Sequence, residues 1–261
     1  MIYLDNAATT YPKPEKVYEV MDDWNRNKAV NAGRGDYKKA REASELIAQT
    51  KDLLRNLIHA EKNADVIFSP SATIAANQII NGMRWESIST VYVSPYEHNA
   101  VARTLHFNSQ KFGFTIKQLP IDINTLEIDI EKMKYEFSKN KPDAVFCTHI
   151  SNVTGYVLPV EEIFEISKQY NCINILDTAQ SLGLLDINVN QIKADVLIFA
   201  GHKTLYGPLG IGGFINLSKI KLNEFITGGT GSDSLNLDMP LSSKFEAGSC
   251  KIGRASCRER V

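Results

Sequence analysis

The chain has 261 residues, of which 43% are hydrophobic and 23% charged, and its formal net charge is −1. This is globular composition without the basic field that nucleic acid or an acidic membrane surface would require. No run approaches the roughly 20 apolar residues of a membrane helix. The opening MIYLDNAATT lacks the charged start and apolar core of a secretion signal, so a soluble cytoplasmic protein is the expectation. Cys147, Cys172, Cys250 and Cys257 form no CxxC pair and no regular framework. Neither a zinc site nor a disulfide scaffold is indicated, and no metal is expected.

An N-terminal arm of about 15 residues leads into the first helical pattern, where Val17, Val20, Met21 and Trp24 follow i, i+3, i+4, i+7 spacing. Short apolar runs then read as strands at Asp65–Ser69, Thr90–Ser94, Phe114–Leu119, Ala144–Thr148, Ile173–Asp177, Asp195–Ala200 and Gly210–Ile215. Several are apolar on both faces (VIF, VYV, AVF, INIL, VLIF), the pattern of parallel strands covered by helices on each side. IAANQII after the first strand, and Val160, Ile163, Phe164 and Ser167 after the fourth, are amphipathic. Pro12, Pro14, Pro142 and Pro159 fall at or near element starts, where a missing N–H costs little. Strand–helix alternation of this kind implies βαβ units and a doubly wound, mostly parallel seven-stranded sheet. Residues 228–240 crowd Gly, Thr, Ser, Asn and Asp together and read as a loop.

From Lys251 the sequence changes character: KIGRASCRERV carries three arginines and no apolar periodicity. Back-translated, Ile252 to Val261 can be written ATC GGA AGA GCG TCG TGT AGG GAA AGA GTG, which resembles adaptor DNA used in short-read sequencing. The expected division is therefore a native domain over 1–250 and a non-native tail over 251–261.

In open α/β sheets a ligand sits beyond the carboxyl ends of the strands. The residues just after each strand are Ser69-Pro-Ser-Ala-Thr73, Glu97-His98-Asn99, His149 to Asn152, Asp177-Thr-Ala-Gln180 and Gly201-His202-Lys203. An acid, several amides, imidazoles and one lysine thus gather on one rim. A lysine held between a buried strand and a Gly-rich turn loses its proton more easily and can form a Schiff base. Pyridoxal phosphate needs such a lysine and an acid that keeps the pyridine nitrogen protonated, for which Asp177 is the candidate. Its phosphate needs a helix N-terminus and a hydroxyl, which Ser71-Ala72-Thr73 supplies. Each signal has an ordinary structural reading too: Ser and Asp are common helix caps, His98 could be a satisfied buried imidazole, and Asn152 and Gln180 could be loop amides. A dinucleotide-binding domain is disfavoured because no GxGxxG opens a helix after the first strand, and no GxxxxGK[ST] occurs.

Read together, YLDNAATTYPKP, NAGRGDY, FSPSATIAAN, EHNAV, ISNVTGYVLPVEEI, LDTAQSLG, AGHKTLYGPLGIGG and GGTGSDS…FEAGS resemble the class-V aminotransferases, nearest to the cysteine desulfurases and desulfurase-like proteins. The likeness implies the large domain of a fold-type-I pyridoxal-phosphate enzyme. It implies Lys203 as the Schiff-base lysine, Asp177 as the pyridinium partner and His98 as the ring-stacking histidine. The Ala72 amide, Thr73 and His202 would contact the phosphate, and Asn152 and Gln180 the ring hydroxyl. Thr230 would reach the phosphate of a partner subunit, implying a homodimer. Asn6, Ala7, Ala8, Asn31 and Arg34 would border the substrate pocket.

The activity so implied for the intact form is removal of sulfur from L-cysteine to give L-alanine and an enzyme persulfide, with a sulfur-acceptor protein and iron–sulfur cluster assembly in view. Another class-V chemistry (transamination or β-lysis) and an inactive fragment are the alternatives. Two departures stand out. Relatives usually carry Ser where this chain has Ala200, and often Gly-Ala-Thr-Glu where it has Ser71-Ala-Thr-Ile74. The loop cysteine and the carboxylate-binding arginine of desulfurases belong to a C-terminal part with no counterpart here, so the small domain is expected to be missing. Cys147 and Cys172 read as core residues, and no catalytic cysteine is assigned.

Overall fold

The computed structural model describes residues 2–32, 37–230, 237–240 and 244–248. Helices α1 (Glu15–Asn27) and α2 (Lys38–Leu57) precede β1 (Asp65–Ser69). There follow α3 (Ala72–Gly82), β2 (Thr90–Val93), α4 (Asn99–Phe112), β3 (Thr115–Gln118), α5 (Ile130–Lys139), β4 (Ala144–Thr148), α6 (Val160–Lys168) and β5 (Ile173–Asp177). The short α7 (Val189–Ile192), β6 (Val196–Ala200) and β7 (Gly212–Asn216) complete the order. The strands form one seven-stranded sheet in the order β1-β7-β6-β5-β4-β2-β3.

Alternating side chains divide the core between the two faces of this sheet. Val145, Cys147, Leu176, Leu197 and Phe199 pack with Leu54 of α2, Ile58 just beyond it, Phe137 of α5 and Phe164 of α6. Ala144, Phe146, Ile175, Val196 and Ile198 pack on the other face with Ile79 and Ile80 of α3 and Leu105 of α4. A side chain such as Phe164 or Ile80, fully buried, contributes about 1.5–3 kcal/mol of transfer free energy. Both faces are dry, which is why strands β4, β5 and β6 read as continuous apolar runs. In α6, Val160, Ile163, Phe164 and Ser167 are all buried. In α1, Val17 and Trp24 are buried while Val20 and Met21 are half-buried.

Strand β7 runs antiparallel to both β1 and β6. Neighbouring parallel strands need a crossover of a dozen or more residues, and β6 reaches β7 through a closed loop instead. In that loop Gly201 N–H donates to Ile211 O at 2.9 Å and Gly207 N–H to Gly201 O at 2.7 Å. Reversal at β7 leaves β1 pointing the same way as β2, β3, β4, β5 and β6, so the carboxyl ends of six strands share one rim. Close pairing at β7 depends on Gly213, where an added Cβ would lie 2.6 Å from the Phe199 ring and on top of the Ile67 carbonyl oxygen. Residues 251–261, and with them the proposed tail boundary and Cys257, lie outside the described residues, as does Cys250.

Candidate active site

At that rim is a cavity of about 430 Å³ lined by Ala7, Ala8, Ser71, Ala72, Thr73, His98, Thr148, Asn152, Asp177, Ala179, Gln180, Ala200, His202 and Lys203, among others. The geometry therefore brings together Lys203, Asp177, His98, Ala72, Thr73, Asn152, Gln180 and His202, with Ala7 and Ala8 of the arm. Asn6, Asn31 and Thr230 do not line it. Asn6 Oδ1 accepts from Tyr11 N–H at 3.2 Å, bracing the arm. Arg34 lies outside the described residues.

Helix α3 begins at Ala72, and the Ser71 hydroxyl caps it by accepting from Ile74 N–H at 3.2 Å. The first N–H groups of a helix have no intrahelical acceptor and carry the positive end of its dipole, which makes this turn an anion seat. Gly212 lets the turn approach the sheet: a Cβ there would sit 2.6 Å from Ala72 N and 2.8 Å from Phe199 O. Thr73 adds a hydroxyl to the seat, whereas Ala200 opposite has only a methyl group. That absent oxygen corresponds to the sequence departure at this position.

Asp177 ends β5 and is 7% exposed. Burial pushes its carboxyl up from the ordinary value, while the Ala179 N–H at 2.8 Å, Lys203 and His98 pull it down. Burial lowers the Lys203 ammonium, and Asp177 partly opposes that. The two form the charge pair expected of a nucleophilic amine beside an acid. Tyr206 N–H donates to Lys203 O at 2.8 Å, so the lysine sits on a self-closed turn. His98 caps α4, its Nδ1 accepting from Ala100 N–H at 3.1 Å, which places the ring proton on Nε2. Gln180 Nε2 donates to Ala7 O at 2.8 Å and holds the arm over the cavity.

Two rim residues behave differently from their neighbours. His149 is buried and does not line the cavity, and burial alone lowers its imidazole to about 4. Glu97 has no role assigned from sequence, yet its carboxyl is enclosed at the cavity's edge. One oxygen accepts from Ser94 Oγ and Thr148 N–H, and the other has no partner. Burial foremost, then Asp177 nearby, raises it to about 8 against the two hydrogen bonds. Its place immediately before His98 at a strand end was the only signal available. Cys147 and Cys172 are buried free thiols pushed up by burial, so neither is a nucleophile. Among the described residues no group of three or more His, Cys, Asp or Glu side chains could hold a metal ion.

The chain matches the class-V aminotransferase family over residues 2–257 and belongs to that family, whose members depend on pyridoxal phosphate. Cysteine desulfurase IscS of Dictyoglomus turgidum is 30% identical over 233 residues, covering 88% of this chain and 57% of the relative. The apo structure of a cysteine desulfurase from Thermococcus onnurineus NA1 superposes with a TM-score of 0.88 at 27% identity, over 98% of this chain and 65% of that one. The cysteine desulfurase CsdA of Escherichia coli, at 22% identity and a TM-score of 0.82, shares the fold. The chain thus spans about three fifths of the length of these relatives.

The residues present fit pyridoxal phosphate. The α3 N-terminus and Thr73 suit its phosphate, Asp177 its ring nitrogen, and Lys203 its aldehyde carbon, all on the wall of one cavity.

Proposed function

We propose that the intact protein is a cysteine desulfurase, a pyridoxal-phosphate enzyme that releases the sulfur of L-cysteine and leaves L-alanine. The observation that carries this reading is the convergence of Lys203, Asp177 and the α3 N-terminus on one cavity. The desulfurase relatives supply its substrate. When bound, the cofactor supplies an electrophilic carbon for the substrate amine and a ring that draws electron density from the substrate Cα. Lys203, with its ammonium destabilised by burial, furnishes a neutral amine at Nζ that attaches the cofactor and then carries a proton to and from Cα. Asp177 keeps a proton at the ring nitrogen, and His98 covers the ring face. Ala7 and Ala8, fastened by Gln180, close one side of the pocket and limit water.

Within the described residues Cys147 and Cys172 are buried and not placed to take sulfur, and no persulfide cysteine is assigned. We also propose a homodimer in which Thr230 serves the partner's phosphate seat, a cytoplasmic location, and a protein sulfur acceptor that feeds iron–sulfur assembly. No helix among the described residues is long and apolar enough to cross a membrane.

The test has two parts. Borohydride fixation with pyridoxal phosphate and peptide mass mapping should place the label on Lys203 and lose it in Lys203→Ala. The full gene product should form alanine from L-cysteine and, with an added dithiol that reduces the persulfide and is itself oxidised to a disulfide, release sulfide. Label on Lys203 with no alanine formed would keep the cofactor and overturn the sulfur chemistry in favour of transamination or β-lysis.

A further inference from the structure

The N-terminal arm meets the turn before Lys203 at one residue, His202. Its carbonyl receives Lys13 Nζ at 3.0 Å and Thr10 N–H at 3.3 Å. Thr9 Oγ1 lies 3.1 Å from that same carbonyl and 3.1 Å from His202 Nδ1. A carbonyl oxygen has two lone pairs and a hydroxyl has one proton. With the carbonyl already served by an ammonium and an amide, the Thr9 proton has its free acceptor at Nδ1, which accepts only when unprotonated.

We propose that Thr9 is a positioning residue that fixes the neutral Nε2–H tautomer of His202, so that the ring nitrogen not held by Thr9 offers a donor to the anion seat. Neutrality has a physical cause: burial, Lys203 and Lys13 all disfavour the imidazolium. The charged groups around the ring are Lys203 on its own turn and Lys13 on the arm, with Asp5, Asp177 and the titratable imidazole of His98 also on the cavity wall. The opposite tautomer would turn a lone pair toward a phosphate, and binding would then have to recruit a proton. With the tautomer preset, the imidazole donates without charging, and the phosphate contact through His202 holds steady across neutral pH.

This inference rests on the cofactor reading above, and it is tested apart from it. In the protein without cofactor, ¹⁵N correlation spectra of labelled histidine should show Nδ1 as the bare nitrogen and Nε2 as the protonated one for the signal lost in His202→Gln. Thr9→Val should mix the tautomers and Thr9→Ser restore the single form. Titration with pyridoxal phosphate followed by absorbance should give a Kd roughly three- to tenfold weaker in Thr9→Val, the size of one hydrogen bond. That deficit should shrink at lower pH as the ring becomes cationic. A proton on Nδ1 in the native protein, or an unchanged tautomer in Thr9→Val, would overturn the assignment. The expected tautomers without cofactor binding would support Thr9's role and overturn the cofactor reading alone.

Discussion

Replacing Glu97 by glutamine tests whether a buried carboxyl at the edge of the site stays protonated. In the folded protein it titrates near 8, raised first by burial and further by Asp177; in the unfolded chain it returns to the ordinary 4.5 or so. Between these pH values the folded state holds a proton that the unfolded state has released. Stability therefore falls as pH rises, by about 1.4 kcal/mol per unit, and the full difference is roughly 5 kcal/mol at pH 8. Glutamine keeps a carbonyl oxygen for Ser94 Oγ and Thr148 N–H and cannot ionise. Urea unfolding of the parent and Glu97→Gln at about pH 5, 6.5 and 8 measures the difference directly. The variant should match the parent near pH 5 and exceed it by several kcal/mol near pH 8. Parallel stability curves would mean that Glu97 is ionised in the folded protein, and the reasoning would fail.

Restoring the missing hydroxyl in Ala200→Ser should tighten pyridoxal phosphate about tenfold or more, the worth of one charge-assisted hydrogen bond; an unchanged Kd by absorbance titration would place that side chain away from the anion. Gly213→Ala should destabilise the fold by about 3 kcal/mol or more in urea, since its Cβ meets Ile67 and Phe199. A change below about 1 kcal/mol would contradict the β1-β7-β6 register. Glu246 accepts from Phe68 N–H at 2.7 Å and pairs with the largely buried Lys51 at 2.9 Å. Glu246→Ala should therefore cost about 3 kcal/mol in thermal or urea unfolding, and a cost near zero would show that this anchor is solvated.

Strands β4 and β5 match their expected bounds at both ends because apolar residues on two faces stop abruptly at polar rim residues. The rim itself was legible for the same reason, since a chain that leaves a parallel sheet must place its next few side chains over the strand ends. Helix α2 escaped notice because its buried face is made of Ala40, Ala43, Leu46, Thr50 and Leu54, too small and too polar to mark a stripe among so many charges. The direction of β7 was not legible either, because apolar character is blind to strand polarity. The short closed loop after Lys203 decides it. The particular roles of Glu97 and Thr9 were not legible for a different reason: their partners Thr148 and His202 are distant in sequence, and only the fold brings a second donor or acceptor to each.

The antiparallel insertion of β7 also orders events in time. Among the described residues strand β1 pairs only with β7, so on the ribosome its edge waits for that partner while the intervening strands and helices are synthesised. Long-range pairings of this kind are slow to close, and a strand edge left waiting invites pairing with other chains. The anion seat follows β1 directly and leans on Gly212 at the start of β7. It therefore takes shape only when β7 arrives, and a nascent chain cannot hold the phosphate until the sheet has closed from its far end.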